Sequence, residues 1–232
     1  MTDGHPERRP ILTVDCVLLT LSGDGLSVAL VPRERDPFAG RPALPGGFVR
    51  VDEDADLTAT ARRVLVQKVG LGPDDGFLEQ LGAFSGPARD PRGWSASVAY
   101  YALMPAEQLA KRRPEAVVLA PVDRLPPLPF DHADIVRRAV ERLRGKTSYS
   151  TLPGFLLPRE FTLPELQDVY ERVMNRRLDQ SVFRRRMDEL DLIEPVPGSF
   201  RTGGRHRPAQ LYRLRRPTVT VVDRIIPQRA RG

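Results

Sequence analysis

The sequence predicts an α+β protein of two domains, a mixed unit of strands and helices followed by a smaller unit of two helices and a hairpin. Its 232 residues exceed the usual size of one domain, and 41% of them are hydrophobic, which is enough to build a core. The composition changes at residues 145–158, which are rich in Gly, Ser, Thr and Pro. The charge divides at the same place, because residues 1–150 contain 20 Lys/Arg and 20 Asp/Glu, whereas residues 151–232 contain 16 Arg and 10 Asp/Glu. We therefore expect one domain at 1–149 and another at 150–232.

The N-terminal domain is predicted from apolar runs and from helical spacing. The expected strands and helices occupy residues 11–21, 26–31, 57–69, 77–84, 95–103, 116–122 and 132–144. The first two runs form a hairpin, because a Ser-Gly-Asp-Gly turn joins them. The run at 57–69 is a helix, since its apolar residues recur every four positions and a glycine follows it. Proline and glycine crowd residues 37–47 and 86–93, so we expect loops without regular structure there.

The C-terminal domain is predicted to contain two helices and a hairpin. Thr162 and Glu165 form a capping-box pattern at the start of the first helix. A second helix is expected at 181–190. Its apolar stripe consists of Phe183, Met187 and Leu190. Two short strands are expected at 192–196 and 211–214, and the segment between them is basic. Two helices and a hairpin with a basic tip are typical of a winged helix-turn-helix.

The composition also excludes several classes of function. The single cysteine, Cys16, lies in an apolar run, where a buried structural thiol is expected rather than a nucleophile, a disulfide or a zinc ligand. The apolar runs are shorter than the roughly 20 residues that span a bilayer. Residues 1–10 lack the apolar region of a secretion signal. We therefore expect a cytoplasmic protein without a membrane segment.

The positive charge of the C-terminal domain favours an anionic partner, and double-stranded DNA fits the predicted fold. A winged helix contacts bases with the exposed side and N-terminal end of its second helix, and its wing reaches phosphates or the minor groove. The candidate DNA-binding residues are Gln180, Ser181, Arg184 and Arg185 on the helix, and Arg201, Thr202, Arg205, His206 and Arg207 in the wing. Two alternatives remain open. First, arginine outnumbers lysine along the whole chain, and genomic base composition alone would produce this excess. Second, the arginines of the helix could pair with Asp188 and Glu189 and form an ordinary charged face.

A glycine-rich loop and the helix after it resemble the Nudix box. That box reads Gly, five residues, Glu, seven residues, then Arg-Glu-hydrophobic-any-Glu-Glu-any-Gly-hydrophobic, and its helix carboxylates hold divalent cations against a diphosphate. Aligned from its end, this chain keeps Arg63, Leu65, Gly70 and Leu71. The three helix glutamates are replaced by Val64, Gln67 and Lys68. The span from Glu53 to Arg63 is two residues too long, and an acidic stretch such as 52–56 is more often an exposed helix N-terminus. We expect a Nudix fold without hydrolase activity and without a metal site.

The same loops are predicted to bind an anion without a metal. A diphosphate held in this way needs cations and backbone N–H groups, and several arginines flank the loops that would border the site. The candidate effector-binding residues are Arg33, Arg35, Phe38, Gly46, Gly47, Arg89, Asp90 and Arg92. Any one of these arginines could instead be a solvated loop charge.

Eleven short segments carry a closer resemblance, to the NrtR family of Nudix-related transcriptional regulators. The N-terminal domain supplies PF at 37–38, ALPGGFV at 43–49, EQLGAF at 79–84, RDPRG at 89–93 and SVAY at 97–100. The second half supplies FDH at 130–132, LLP at 156–158, FTL and ELQ within 161–167, YE at 170–171 and FRRR at 183–186. The resemblance covers the chain from about residue 11 to residue 214.

This resemblance implies an α/β/α Nudix sandwich with a mixed sheet, followed by a winged helix-turn-helix. It also implies a bacterial repressor of NAD metabolism genes that senses ADP-ribose without hydrolysing it, needs no cofactor and binds operator DNA as a homodimer. One branch resembling the family senses a sugar, so the effector is less fixed than the mechanism. Two further readings remain: an active ADP-ribose pyrophosphatase with an accessory basic domain, and a nucleic-acid-binding protein whose Nudix part only dimerises.

Overall fold

The computed structural model describes residues 9–23, 25–72, 75–112, 114–201 and 208–226. Their strands are β1 Ile11–Ser22, β2 Gly25–Pro32, β3 Pro42–Ala43, β4 Gly46–Phe48, β5 Phe77–Asp90, β6 Gly93–Leu103, β7 Val118–Pro121, β8 Phe161–Thr162, β9 Ile193–Arg201 and β10 Ala209–Leu214. Their helices are α1 Leu57–Val69, α2 Ala106–Arg112, α3 His132–Thr147, α4 Leu163–Met174 and α5 Gln180–Glu189, with a 3-10 helix at Leu152–Leu156.

The N-terminal domain is a mixed sheet covered by a helix on each face. The strand order is β3-β2-β1-β6-β5, with β4 added to β1 and β7 to β2. β1 and β6 run parallel, whereas the other pairs are antiparallel. Alternate residues of β1 enter different cores, because Cys16 and Leu18 pack against α1 while Val17 and Leu19 pack against α3. The predicted α/β/α sandwich with a mixed sheet is confirmed, and the thiol of Cys16 is buried as expected.

Two predicted loops and the predicted end of one helix were wrong, and one short helix was missed. β5 and β6 continue through residues 86–93 to a tight turn after Asp90, because an irregularity in the register between Gly86 and Asp90 takes up the extra residues. The stretch 37–47 contains β3 and the start of β4, since proline and glycine are tolerated in short strands at a sheet edge. α3 extends three residues beyond the predicted end, to Thr147. α2 was missed because only Leu109 anchors its seven residues.

The C-terminal domain is a winged helix. α4 begins with the predicted capping box, in which the Glu165 N–H donates to Thr162 Oγ1 and the Thr162 N–H donates to a Glu165 oxygen at 2.7 Å. α5 begins at Asp179, whose carboxylate accepts the Val182 N–H. A three-stranded sheet of order β8-β10-β9 closes the domain, so the predicted helix pair and hairpin are confirmed. The strands are longer than predicted, because they extend toward the wing tip.

A C-terminal tail, residues 218–226, returns to the connector between the domains. The Thr151 N–H donates to the Thr220 carbonyl, and the Val222 N–H donates to the Tyr149 carbonyl. Beyond this pairing, Ile225 and the next residue are buried in the core of the winged helix. The connector itself is buried against the N-terminal core through its 3-10 helix. Within the described residues, no helix combines the length and the apolar character needed to cross a membrane.

Candidate ligand pocket and nucleic-acid surface

A pocket of about 490 Å³ lies between the β2–β4 loop, α1, the β5–β6 turn and the N-terminus of α3. Seven of the eight predicted effector residues line it, namely Arg33, Arg35, Gly46, Gly47, Arg89, Asp90 and Arg92. Phe38 does not line it. Its ring instead packs edge-on against Phe130, at 5.1 Å between centroids, and Phe130 forms part of the wall. The loops selected from the sequence thus border one pocket in the structure, whereas Phe38 lies behind Phe130 and not in the wall.

Glycine is required at two wall positions by close packing. A Cβ atom on Gly46 would lie 2.2 Å from Asp15 Oδ1, and one on Gly47 would lie 3.2 Å from Val64 Cγ2. Neither glycine has the positive φ of the left-handed region, so the constraint is steric rather than conformational. β4 can pair with β1 at Asp15 only because residue 46 has no side chain.

The floor of the pocket is a buried network of charges. Arg89 is 6% exposed and donates to Asp15 Oδ2 and to Asp131 Oδ2, each at 2.8 Å. His132 Nε2 lies 3.6 Å from Asp15 Oδ1, and His132 Nδ1 accepts the Leu44 N–H at 3.1 Å. Burial lowers the pKa of His132, which agrees with a neutral ring whose Nδ1 is unprotonated. Arg89 is therefore already neutralised by two carboxylates, unlike the free cation that the sequence suggested.

Two further arginines stand at the mouth of the pocket. The Arg33 guanidinium lies 4.7 Å from the Phe130 ring centroid, and its pKa is lowered by partial burial and by the nearby Arg92 charge. Arg92 pairs with Asp90 at 2.7 Å and lies 5.5 Å from the ring of Phe48. Arginines that repel one another beside exposed aromatic surface create a place where an anion with a flat apolar group is stabilised.

The helix that carries catalytic carboxylates in the Nudix box lines one side of this pocket with other groups. Val64 is buried, and Lys68 Nζ is 3.1 Å from Glu34 Oε1. Arg63 donates to both oxygens of Asp54, at 2.7 and 2.6 Å, and this bond holds the pKa of Asp54 far below its usual value. In the portion of the chain that the structure covers, no group of three or more His, Cys, Asp or Glu side chains is arranged to hold a metal ion.

The acidic stretch before α1 is engaged in local structure. The carboxylate of Asp56 caps α1 by accepting the Ala59 N–H at 2.7 Å, and Glu53 pairs with Arg50 at 2.7 Å. Together with the Arg63–Asp54 pair, these contacts favour the reading of residues 52–56 as a helix N-terminus.

The predicted DNA-contacting residues of α5 share one exposed surface. They are Gln180, Ser181, Arg184 and Arg185. Phe183 and Met187 are buried on the opposite side, as the apolar stripe predicts. Arg185 Nε is 3.6 Å from Glu189, but no salt bridge to Arg184 is present among the described residues. The charged-face alternative therefore accounts for Arg185 and leaves Arg184 available to an anion.

The wing residues are placed only in part. Arg201, at the end of β9, forms an ion pair with Glu165 and also donates to the Glu160 carbonyl, so it fastens the wing to the start of α4. Phe200 beside it is exposed. The other four predicted wing residues, Thr202, Arg205, His206 and Arg207, lie outside the described residues. Three residues were not selected from the sequence, namely Asp15 and His132, which line the pocket, and Asp131, which pairs with Arg89, although the isolated Asp15 in an apolar strand was a signal.

A Nudix sandwich with a cationic pocket, joined to a winged helix, defines a two-domain regulator of the ligand-sensing type. The family model described as the NrtR DNA-binding winged helix domain matches residues 153–214. The chain is 39% identical over 210 residues to the ADPR-responsive transcriptional repressor NtrR of Acinetobacter baylyi, covering 88% of this chain and 82% of the relative. The chain therefore belongs to the NrtR family.

Two solved structures extend the comparison to both domains. NrtR of Shewanella oneidensis complexed with a 27mer DNA is 41% identical, with a TM-score of 0.79 over 88% of this chain and 93% of that chain. The NUDIX domain of the same protein complexed with ADP ribose is 37% identical, with a TM-score of 0.52 over 59% of this chain and 90% of that chain. The fold of each domain thus matches a solved structure that contains a ligand or DNA.

Proposed function

We propose that this protein is a transcriptional repressor that binds operator DNA through its winged helix and releases it when ADP-ribose occupies the Nudix pocket. The observation that carries the proposal is the pocket itself, which has arginines at its mouth and no helix carboxylates to hold a metal. The relatives, a repressor responsive to ADPR and proteins bound to DNA and to ADP ribose, support the same conclusion.

The arginines at the mouth are the best partners for the diphosphate. Arg33 has no carboxylate partner among the described residues, and its lowered pKa indicates that a nearby negative charge would stabilise it. Arg92 and Arg35 complete the cationic side of the pocket, while Gly46 and Gly47 keep the pocket wall close to Asp15 and Val64. The exposed Phe48 offers a ring face for an adenine group. Phe38 contributes by supporting Phe130.

The pocket is proposed to bind ADP-ribose without cleaving it. Metal-assisted cleavage of a diphosphate needs carboxylates at i, i+3 and i+4 of α1, and this chain has Val64, Gln67 and Lys68 there. The ammonium group of Lys68 would repel a divalent cation and attract the ligand instead. No cofactor is needed for a function that consists of binding alone.

On the DNA side, Arg184 and Arg185 are proposed to contact base edges in the major groove, with Gln180 and Ser181 at the N-terminal end of α5. We further propose a homodimer, because a two-fold operator requires two such helices at a fixed spacing. We propose that the boundary between the ligand-binding domain and the DNA-binding domain lies between residues 149 and 150. Ligand binding would shift the pair of winged helices away from the spacing of the half-sites.

The test uses the full-length protein and a duplex selected by that protein from a randomised DNA pool. ADP-ribose is titrated into the complex at about 0.15 M salt, with Mg²⁺ present and AMP measured in the same tube. Trp94, the only tryptophan in the sequence, is two positions from Arg92 in sequence and 50% exposed, so its fluorescence is followed as a second signal of ligand binding. We expect DNA release with intact ADP-ribose. Formation of AMP would establish a hydrolase, and failure to select any duplex would refute the repressor.

A further inference from the structure

We propose that Asp131 is a positioning residue that couples the pocket to the DNA-binding domain. In this proposal an anionic ligand competes with Asp131 for Arg89, and the loss of that contact frees the N-terminus of α3. The inference rests on the proposed function, because it explains how occupancy of the pocket reaches the winged helix.

The N-terminus of α3 is fastened at the floor of the pocket. Asp131, the residue before the helix, accepts a hydrogen bond from Arg89 Nε at 2.8 Å. His132, its first residue, accepts the Leu44 N–H and lies beside Asp15. Arg89 and His132 both line the pocket, so a ligand that fills it acts on the residues that hold this helix end.

The other end of α3 is fastened to the winged helix. Its sixteen residues extend roughly 24 Å at 1.5 Å per residue, from the pocket to the connector. Its buried face packs in one core with Val169 and Val173 of α4. Arg144 Nε donates to the Val173 carbonyl at 3.1 Å. A shift of α3 at its pocket end is therefore transmitted to α4 through a single rigid element.

Of the two carboxylates that pair with Arg89, that of Asp131 is the easier one for a ligand to displace. Its side chain is 22% exposed, against 8% for that of Asp15, and Asp15 is also held beside His132. Oδ1 of Asp131 is buried and accepts no hydrogen bond from any described residue. Burying a carboxylate oxygen without a hydrogen-bond donor costs free energy. When an anion replaces Asp131 at Arg89, the Asp131 carboxylate can move into solvent and recover part of that free energy, which reduces the cost of losing the ion pair.

The residue before Asp131 adds a second reason for a shift at this point. Phe130 has a φ of 55°, in the left-handed region that residues other than glycine rarely adopt. Its ring is held between Arg33, Phe38 and His132. A ligand that engages Arg33 and Arg89 together acts on both residues that precede α3, where backbone strain is already stored.

The test is the substitution Asp131→Asn in the full-length protein, compared with Asp134→Asn. Asp131 makes no side-chain cap bond to α3, so asparagine removes the ion pair without removing a cap. Asp134 lies in the first turn of the same helix, and its one ion pair among the described residues is with the exposed Arg137, at 2.9 Å. The same substitution there is therefore a chemically matched control. ADP-ribose binding is followed by Trp94 fluorescence, and DNA binding by anisotropy of the selected duplex.

If the Arg89–Asp131 contact belongs to the DNA-binding state, its loss must favour the ligand and disfavour DNA, because the two equilibria are linked. For Asp131→Asn we expect ADP-ribose affinity to rise about 5-fold or more and DNA affinity without ligand to fall by a similar factor. Asp134→Asn should leave both unchanged. A purely structural role would not tighten ligand binding. Unchanged affinities for Asp131→Asn, or weaker ADP-ribose binding, would overturn the proposal.

A measurement on the unsubstituted protein keeps the test decisive if Asp131→Asn does not fold. The N–H groups of Asp134 and Ile135 bond to the Asp131 carbonyl at 3.0 and 3.1 Å. Saturating ADP-ribose should speed hydrogen exchange at these two amides, and unchanged or slower exchange would refute the release of this helix end. If ADP-ribose neither binds nor releases DNA in the unsubstituted protein, the proposed function itself is wrong.

Discussion

Replacing Gly46 with alanine tests whether β4 is packed tightly against the charged floor of the pocket. The new Cβ would lie 2.2 Å from Asp15 Oδ1 and 3.1 Å from the Val14 carbonyl oxygen. The carboxylate must therefore retreat by roughly 1 Å to reach van der Waals distance. It is held by Arg89 at 2.8 Å and lies beside His132, so the displacement disturbs the whole network.

Overpacking of this kind costs about 1–3 kcal/mol. For a chain of this size that lowers the melting temperature by about 2–12 °C, measured by circular dichroism. ADP-ribose binding, followed by Trp94 fluorescence, should weaken as well. The control is Gly145→Ala, because Gly145 lies in α3 with nothing within 4 Å of an added Cβ, and alanine there should stabilise by about 0.4–1 kcal/mol. If Gly46→Ala melts and binds like the unsubstituted protein, β4 does not pack tightly on Asp15 and the account of the pocket floor fails.

Three other predictions concern the DNA-binding domain. Arg184→Ala should weaken binding of the selected duplex by about 1–3 kcal/mol in anisotropy titrations. The control is Arg138→Ala, which removes an exposed arginine of α3 and should leave DNA affinity unchanged. Equal DNA affinities for the two variants would show that Arg184 does not contact DNA. Ile225→Ala should destabilise the protein by about 2–5 kcal/mol in urea, and the exposed Val221→Ala by less than about 0.5 kcal/mol; similar costs would contradict the burial of the tail. Burial raises the pKa of Glu171, but its hydrogen bonds outweigh this effect and hold the pKa below the usual value. The ionised carboxylate therefore stabilises the fold at neutral pH, and this stabilisation is lost as the pH falls through the lowered pKa. Melting curves of Glu171→Gln should therefore vary less with pH below about 4.5, and an unchanged pH profile would refute this.

The parts of the fold that sequence predicts are those whose signals are local. α1 was predicted with its observed limits, because Asp56 caps its start and the left-handed Gly70 ends it. The capping box of α4 likewise lies within four residues. By contrast, α2 has one buried residue in seven and no cap pattern, so nothing in its sequence distinguishes it from a loop.

The pocket was predicted less completely, since its chemistry depends on contacts between distant residues. Arg89 meets Asp15 across 74 positions of sequence and Asp131 across 42. No periodicity encodes such pairings, so an arginine expected to be free was in fact neutralised. Phe38 was placed in the pocket for a similar reason, because only the structure shows that Phe130 lies in front of it.

The C-terminal tail has a consequence for how this protein can be taken apart or recombined. The matched family domain ends at residue 214, yet Ile225 and Ile226 fill the core of that domain and the tail pairs with the connector at residues 149–151. The winged helix is thus joined to its neighbour by a two-stranded ribbon rather than by a single linker. A fusion or truncation made at residue 214 would remove one strand of that ribbon and also the two isoleucines that are buried in the core of the winged helix. A transplantable DNA-binding module must therefore carry both the connector and the tail, and its natural borders are set by packing and not by the helices and strands alone.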